Sequence, residues 1–323
     1  MNAELISVRG LEKRFSREAG FFAPLGQFVY AVNGVNFDLH RGETYALVGE
    51  SGCGKTTTAR LLVRMYEASA GSVIYTDEAG ENARDVFAMN AKELKAYRAA
   101  VKYVFQDPAK SLDPRMTVED ILLAGYRYAE RWPGRQCARE EAARILEETG
   151  LHADDLNRRP ADFSGGQRQR ISIARGLIMR PRVLICDEVV SALDVSVQGQ
   201  ILNLLLDLRE SRGLSLLFIT HDLKIACYFS DRIGVMYRGE IVEEAPAQYL
   251  YRDARHPYTQ LLFASSAPAH EADIISGEVT SSSAAAAGCP FVSRCPRAAE
   301  RCRAEHPPMT ALSDTHRAAC WNI

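Results

Sequence analysis

Eight residues constrain this chain more than any others: Gly49-Glu50-Ser51-Gly52-Cys53-Gly54-Lys55-Thr56. They follow the pattern G-x-x-x-x-G-K-[ST], which holds nucleotide phosphates when a strand precedes it and a helix follows. Tyr45 to Val48 is apolar throughout and reads as a buried parallel strand. Thr57 to Met65, with Ala59, Leu61, Leu62 and Met65 apolar, reads as a helix. Three glycines let successive N–H groups turn toward an anion, and the helix N-terminus adds its positive end. Lys55 then serves as a point charge for the β- and γ-phosphates, and the Thr56 hydroxyl as a Mg²⁺ ligand. A ligand-free glycine turn fits the eight residues but not the strand and helix around them.

The rest of the pattern alternates strands and helices at both ends. Strands are expected at Leu5 to Phe15, Tyr30 to Leu39, Ser72 to Tyr75, Val101 to Phe105, Val183 to Cys186 and Leu216 to Ile219. A hairpin turns at Arg238-Gly239, and Asp77 to Arg84 reads as a polar turn. From Val118 to Ile178 the period becomes helical, with one helix over Glu140 to Thr149 closing at Gly150. Val197, Ile201, Leu204, Leu205 and Leu208 make another helical face. The expected fold is α/β with an all-helical insertion. Ala267 to Gly288, rich in Ser and Ala, reads as a linker.

Composition narrows the function classes. The 323 residues are 47% hydrophobic and 25% charged, with a net charge of −2. That gives no reason to expect nucleic acid. No apolar run reaches the roughly 18–20 residues of a membrane span. The N-terminus carries no secretory pattern, so a cytosolic or peripheral protein is expected.

Two further stretches carry chemistry. Val183 to Cys186 is an apolar strand ending in Asp187-Glu188. A carboxylate there suits a Mg²⁺ ligand, and the next one suits a base for attacking water. Ser164-Gly165-Gly166-Gln167 opens a helical run and makes a second anion cradle. One nucleotide does not need two cradles from one chain, so the second is read as serving a nucleotide held by another chain.

The ordered set of motifs resembles the ATP-binding cassette (ABC) ATPases over Leu5 to Leu250. The resemblance implies a P-loop core with a RecA-like mixed sheet, an antiparallel β subdomain, an inserted helical subdomain and a small C-terminal Cys-rich extension. It assigns residues 1–255 to the nucleotide-binding domain, its helical part at about 107–178, and 256–323 to the extension. Gly49 to Thr57 becomes Walker A, and Gln106 the Q-loop glutamine that also serves Mg²⁺. Ser164 to Gln167 is the signature, here preceded by Phe163 where many members have leucine. Asp187 is the Walker B carboxylate and Glu188 the catalytic base. Ser191-Ala192-Leu193-Asp194 is the D-loop, and His221 the switch histidine. Phe15 aligns with the adenine-stacking aromatic, with Phe28 or Tyr30 as substitutes. Val189 departs from the usual proline without touching the carboxylates. The implied mechanism is a head-to-tail dimer with two ATPs sandwiched between phosphate loops and signatures.

Phe105 to Pro108, Ser111 to Arg115 and His256-Pro257-Tyr258-Thr259-Gln260-Leu261-Leu262 look like the oligopeptide/dipeptide importer ATPases. That implies two permease subunits, a second identical or paralogous ATPase, an extracytoplasmic solute-binding protein acting indirectly, and a place at the cytoplasmic face of the inner membrane. A soluble ABC protein acting on nucleic acid or ribosomes is the alternative; such proteins usually carry two cassettes. An exporter ATPase is disfavoured by the His-Pro-Tyr stretch. Cys289, Cys295, Cys302 and Cys320 crowd the tail. Disulfides are unexpected in a cytosolic ATPase, and C-x2-C zinc pairs are missing. Four thiolates at longer gaps suit a 4Fe–4S cluster, which some resembled ATPases hold in this tail, while zinc and unliganded thiols stay open.

Overall fold

The computed structural model describes residues 4–16, 28–77, 80, 82–129, 132–265 and 287–323. Most of the expected linker lies outside them. The chain divides into two compact units, Met1–Ala88 with Phe218–Ile323, and Met89–Leu217. The second unit is thus an insertion in the first.

The first unit begins with β1 (Glu4–Ser16) and β2 (Phe28–His40), long strands whose apolar residues Ile6, Val8, Leu11, Val35, Phe37 and Leu39 are buried. β3 (Thr44–Val48) is buried along its length and runs into α1 (Lys55–Leu62). β4 (Ala70–Thr76) pairs with β1 and with a short β5 (Ala83–Asp85), so the antiparallel sheet has the order β2-β1-β4-β5. The Asp77 to Arg84 turn was expected as polar connection; its end instead adds that edge strand, three residues too short to show a period.

The second unit opens with α2 (Ala91–Ala100) and β6 (Val101–Val104). Helices α3 (Pro108–Ser111), α4 (Val118–Ala129), α5 (Arg135–Glu148) and α6 (Gly165–Leu177) follow. The expected helix ending at Gly150 starts five residues earlier, at Arg135, and Gly150 has the left-handed φ of 75° suited to a helix stop. β7 (Val183–Asp187) pairs with β6 in parallel, and α7 (Val195–Arg212) packs its Ile201, Leu205 and Leu208 inward. β8 (Ser215–Thr220) carries the chain back to the first unit.

There α8 (Leu223–Phe229) leads to β9 (Arg232–Tyr237), parallel to β3, and β10 (Glu240–Pro246), antiparallel to β9. Both parallel and antiparallel pairs occur, so the core sheet is mixed. The hairpin turn places Arg238 (φ 47°) and Gly239 (φ 88°) in the left-handed region that suits a two-residue hairpin. α9 (Ala247–Asp253) and α10 (Pro257–Ser265) follow. The tail adds α11 (Glu300–Ala304), β11 (Thr310–Ala311) and β12 (Arg317–Ala318), and β12 extends the sheet by pairing with β10.

The tail docks by both apolar and ionic means. Phe291 is fully buried against Tyr237, Tyr258 and His256, with ring centroids 5.3, 5.4 and 5.8 Å away. Glu243 of β10, also fully buried, accepts from Arg255 N (2.7 Å), His256 N (3.0 Å) and His316 Nε2 (2.8 Å). Three donors on one carboxylate offset the cost of burying it.

Burial pushes the His256 imidazole down to about 4, and its Nδ1 accepts the Tyr258 N–H at 3.1 Å. The folded value is depressed below the unfolded 6.5, so this contribution is present above pH 6.5 and lost as pH falls toward 4. The loss across that window is about 3 kcal/mol. Thermal midpoints of wild type and His256→Asn between pH 7 and pH 4.5 test this. The asparagine keeps an acceptor and does not titrate, so it is expected to lose less on acidification. Parallel curves would contradict the assignment.

Candidate nucleotide site

The phosphate loop lies wholly in the first unit, between β3 and α1. Gly52 and Gly54 have φ of 79° and 113°, and a Cβ on Gly54 would sit 2.2 Å from Ala31 O. Glycine is required at 54 by both dihedral and space. Gly54 is the N-cap of α1 and supplies no side-chain cap, so the first helical N–H groups are not closed by a side chain. Lys55 is buried, its Nζ donating to Gly49 O at 2.7 Å and Glu50 O at 2.9 Å. The ammonium therefore lies back along the loop that it would share with a phosphate. Cys53 is buried beneath it, and burial raises its thiol pKa against the pull of Lys55. Ser51 is exposed, and Thr56 and Thr57 are half-buried on the first turn of α1.

Glu50 has partners that sequence reasoning did not supply. Its backbone N–H donates to the Tyr258 hydroxyl at 2.9 Å. Arg294 grips its carboxylate with both terminal nitrogens, each at 2.8 Å. The Glu50 carboxylate, with burial opposing it, holds the Arg294 guanidinium above its usual pKa. His221 stands exposed just past β8, before Asp222, whose carboxylate caps α8 by accepting from Lys224 N and Ile225 N. Phe15 is at the surface end of β1, edge-on to Tyr66 at 5.5 Å and under Lys13 Nζ at 5.1 Å. Phe28 is similarly exposed, and Tyr30 lies under Arg14 at 5.9 Å.

The second unit brings the other expected residues together. Asp187 ends β7, buried, and accepts from the Tyr103 hydroxyl at 2.5 Å. Glu188 follows with φ 47°, a left-handed strain costing about 1–3 kcal/mol for a residue of this kind. Gln106 Nε2 donates to Glu188 Oε2 at 2.7 Å, so the Q-loop and the second carboxylate meet directly. Val189 and Val190 are buried behind them. The D-loop is tied down where Ser191 Oγ donates to Glu188 O (2.9 Å) and Gln198 Nε2 to Val190 O and Leu193 O. Ala192 and Asp194 are exposed.

Ser164 is the N-cap of α6. Its Oγ accepts from Gln167 N, and Gln167 Oε1 accepts from Ser164 N at 2.9 Å, a complete capping box. A Cβ on Gly166 would lie 2.6 Å from Val197 Cγ1 of α7, which is why a bare glycine stands there. Phe163 is buried under the Arg158 guanidinium at 4.3 Å. Ser164, Gly165 and Gln167 remain exposed and Gly166 half-buried, a surface presented outward.

Comparisons with known proteins bear on the whole chain. The family model described as "ABC transporter" matches residues 32–191. A second, "Oligopeptide/dipeptide transporter, C-terminal region", matches 242–302. A "Probable peptide ABC transporter ATP-binding protein" of Sinorhizobium fredii is 42% identical over 99% of this chain and 90% of its own length. The chain belongs to the ABC transporter ATP-binding proteins. It carries the C-terminal region of the oligopeptide/dipeptide branch. A Bacillus subtilis oligopeptide transport ATP-binding protein is 44% identical over 81% of this chain and 82% of its own. Among solved structures, a dimeric bacterial ABC transporter cassette superposes with a TM-score of 0.64 at 26% identity, covering 75% of this chain and 99% of that one. This ABC ATPase therefore has the cassette fold expected from its motifs, and ATP with Mg²⁺ is the fuel expected for it.

The expected iron–sulfur site does not find the same support. Among the described residues no group of three or more His, Cys, Asp or Glu side chains is set to hold a metal ion. Cys302 Sγ accepts from Asn322 Nδ2 at 3.7 Å, and Cys320 Sγ from Asn322 N at 3.4 Å. Burial pushes the Cys289 thiol up to about 11 and raises Cys295 and Cys320 too. Cys302 and Cys320 are thus engaged in the hydrogen bonds of the tail itself. Nor, among the described residues, is any helix long and apolar enough to cross a membrane.

Proposed function

We propose that this ATPase energises uptake of oligopeptides, dipeptides or a related small solute through two transmembrane permease subunits. It would work as a dimer with a second ATPase chain, at the cytoplasmic face of the inner membrane, fed by an extracytoplasmic binding protein. The single observation that carries the importer reading is the coexistence of the cassette match with the oligopeptide/dipeptide C-terminal match in one chain. The relatives' names, peptide and oligopeptide transport ATP-binding proteins, point the same way. The domain reading follows: residues 1–255 as nucleotide-binding domain, its helical part about 107–178, and 256–323 as extension.

Each residue has a role in this reading. Gly49 to Thr57 hold the phosphates, with Lys55 as the countercharge and Thr56, Gln106 and Asp187 serving Mg²⁺. Glu188 takes a proton from the attacking water, and His221 steadies the γ-phosphate side. Phe15 stacks on adenine. Ser164 to Gln167 complete the site of the other chain, and the D-loop residues Ser191 to Asp194 line the dimer contact. The exposure of Ser164, Gly165 and Gln167 supports the signature role, because a helix N-terminus presented outward favours an anion from outside the chain. The strained Glu188 backbone supports the base role, since such strain persists where surrounding structure fixes a functional side chain.

The finer reading of the tail is a 4Fe–4S cluster on Cys289, Cys295, Cys302 and Cys320. The donor chemistry fits, because Cys295, Cys302 and Cys320 all lie within electrostatic reach of Cys289, and Cys295 and Cys302 within reach of Cys320. A cluster would supply a structural staple for the tail, with no step of the ATPase cycle routed through it. Detergent extracts test the assembly: the chain is expected to co-purify with two membrane permeases and a second ATPase. Recovery with ribosomes or nucleic acid alone would favour the soluble alternative. Iron and sulfide content after anaerobic purification tests the tail; zinc or no metal would reject the cluster.

A further inference from the structure

The Glu50 contacts join two parts of the chain that the nucleotide reading leaves separate. Glu50 is the second residue of the phosphate loop, yet its partners come from the C-terminal extension. Its N–H goes to Tyr258 and its carboxylate to Arg294, which lies 244 positions away. Tyr258 and Phe291 form one buried aromatic cluster with Tyr237 of β9. Arg294 sits in the turn bracketed by Cys289 and Cys295, where Val292 N donates to Cys289 O and Arg294 N to Phe291 O. The Arg294 side chain is mostly buried, and its fork meets the carboxylate with two equal bonds. A bidentate pair of this kind fixes orientation as well as distance. On the loop side, Glu50 O accepts from Lys55 Nζ and from Cys53 N, so a shift of residue 50 moves both.

We propose that the cysteine-bearing tail braces the phosphate loop, with Arg294 and Tyr258 as positioning residues that hold Glu50 and so set the loop's curvature around the ATP phosphates. The proposal rests on the reading that this loop binds ATP. Neither residue need touch the nucleotide. Because the loop and the tail share these bonds, docking of the tail and binding of ATP favour one another, and the coupling is reciprocal. Whatever orders or loosens the Cys289–Cys295 turn is then felt at the phosphate loop.

The test uses the full chain and a fluorescent ATP analogue, N-methylanthraniloyl-ATP with Mg²⁺, alongside ATPase kinetics and thermal midpoints. Arg294→Ala is expected to weaken binding about tenfold, the loss of a charge-assisted pair. The KM for ATP should rise with it while kcat stays, the signature of lost ground-state positioning. Arg294→Lys keeps the charge without the fork and should recover part of the affinity. Glu50→Gln should weaken binding as well, and the Glu50→Gln/Arg294→Ala double variant should bind like the weaker single. Tyr258→Phe keeps the ring packing and removes only the acceptor, so it stays informative if Arg294→Ala unfolds; about threefold weaker binding is expected.

Wild-type affinity in both Arg294→Ala and Tyr258→Phe would overturn the brace. So would effects of Glu50→Gln and Arg294→Ala that multiply in the double variant. A wild-type chain that fails to bind the analogue would instead overturn the phosphate-loop reading, and the brace with it.

Discussion

Replacing Glu188 by glutamine is expected to cut ATP turnover by about 10²–10⁴-fold, the range for removing a general base. The substitution keeps the shape and the acceptor oxygen at residue 188. Gln106 Nε2, which donates to Glu188 Oε2 at 2.7 Å, therefore keeps a partner. What is lost is the carboxylate's capacity to take a proton from water. Since Asp187 and the phosphate loop are untouched, nucleotide affinity should be kept, and the fault should appear in kcat. The left-handed backbone at 188 is unchanged by a glutamine, so stability should move little. Steady-state phosphate release against ATP concentration checks this. A variant with full turnover would remove Glu188 from the role.

The second large effect is expected at Lys55. Its ammonium is buried and donates to Gly49 O and Glu50 O, two carbonyls of the loop itself. With nucleotide bound, the same cation would neutralise the β- and γ-phosphates. Lys55→Ala removes that countercharge from both phosphates. Hydrogen bonds to charged groups are worth about 1.5–3 kcal/mol each, so ATP affinity should fall by at least about 10²-fold. Equilibrium binding of the fluorescent analogue measures it. Lys55→Arg should not rescue, because a planar fork cannot lie along the loop as a compact ammonium does. Near-normal binding by Lys55→Ala would contradict the phosphate role.

Most of the local structure could be read from residues close in sequence. Val183 to Asp187 is one apolar run, and it forms a buried strand ending at the carboxylate. Ser164 and Gln167 are three apart, the spacing of a capping box, and they cap α6. The glycines of the phosphate loop announced its curvature, and Gly54 does need a positive φ. Elements of two or three residues, such as β5, β11 and β12, are too short to show a period and take their structure from the strand they join. The Arg294–Glu50 pair joins residues whose own neighbourhoods give no hint of one another. Its nearest sequence signal was the tail's Phe291 and Arg294 beside two cysteines, which was read only for its thiols. The four cysteines illustrate the converse, since suggestive spacing did not arrange the described side chains as a metal site.

The claim on which the rest depends is that two chains share each ATP, one giving the phosphate loop and the other Ser164 to Gln167. Sedimentation of the Glu188→Gln chain with and without Mg-ATP addresses it directly. That chain is expected to be a monomer that becomes a dimer when nucleotide is added, and to show no such shift when Ser164 is also changed to arginine. A Glu188→Gln chain that binds Mg-ATP and still sediments as a monomer at millimolar nucleotide would contradict it.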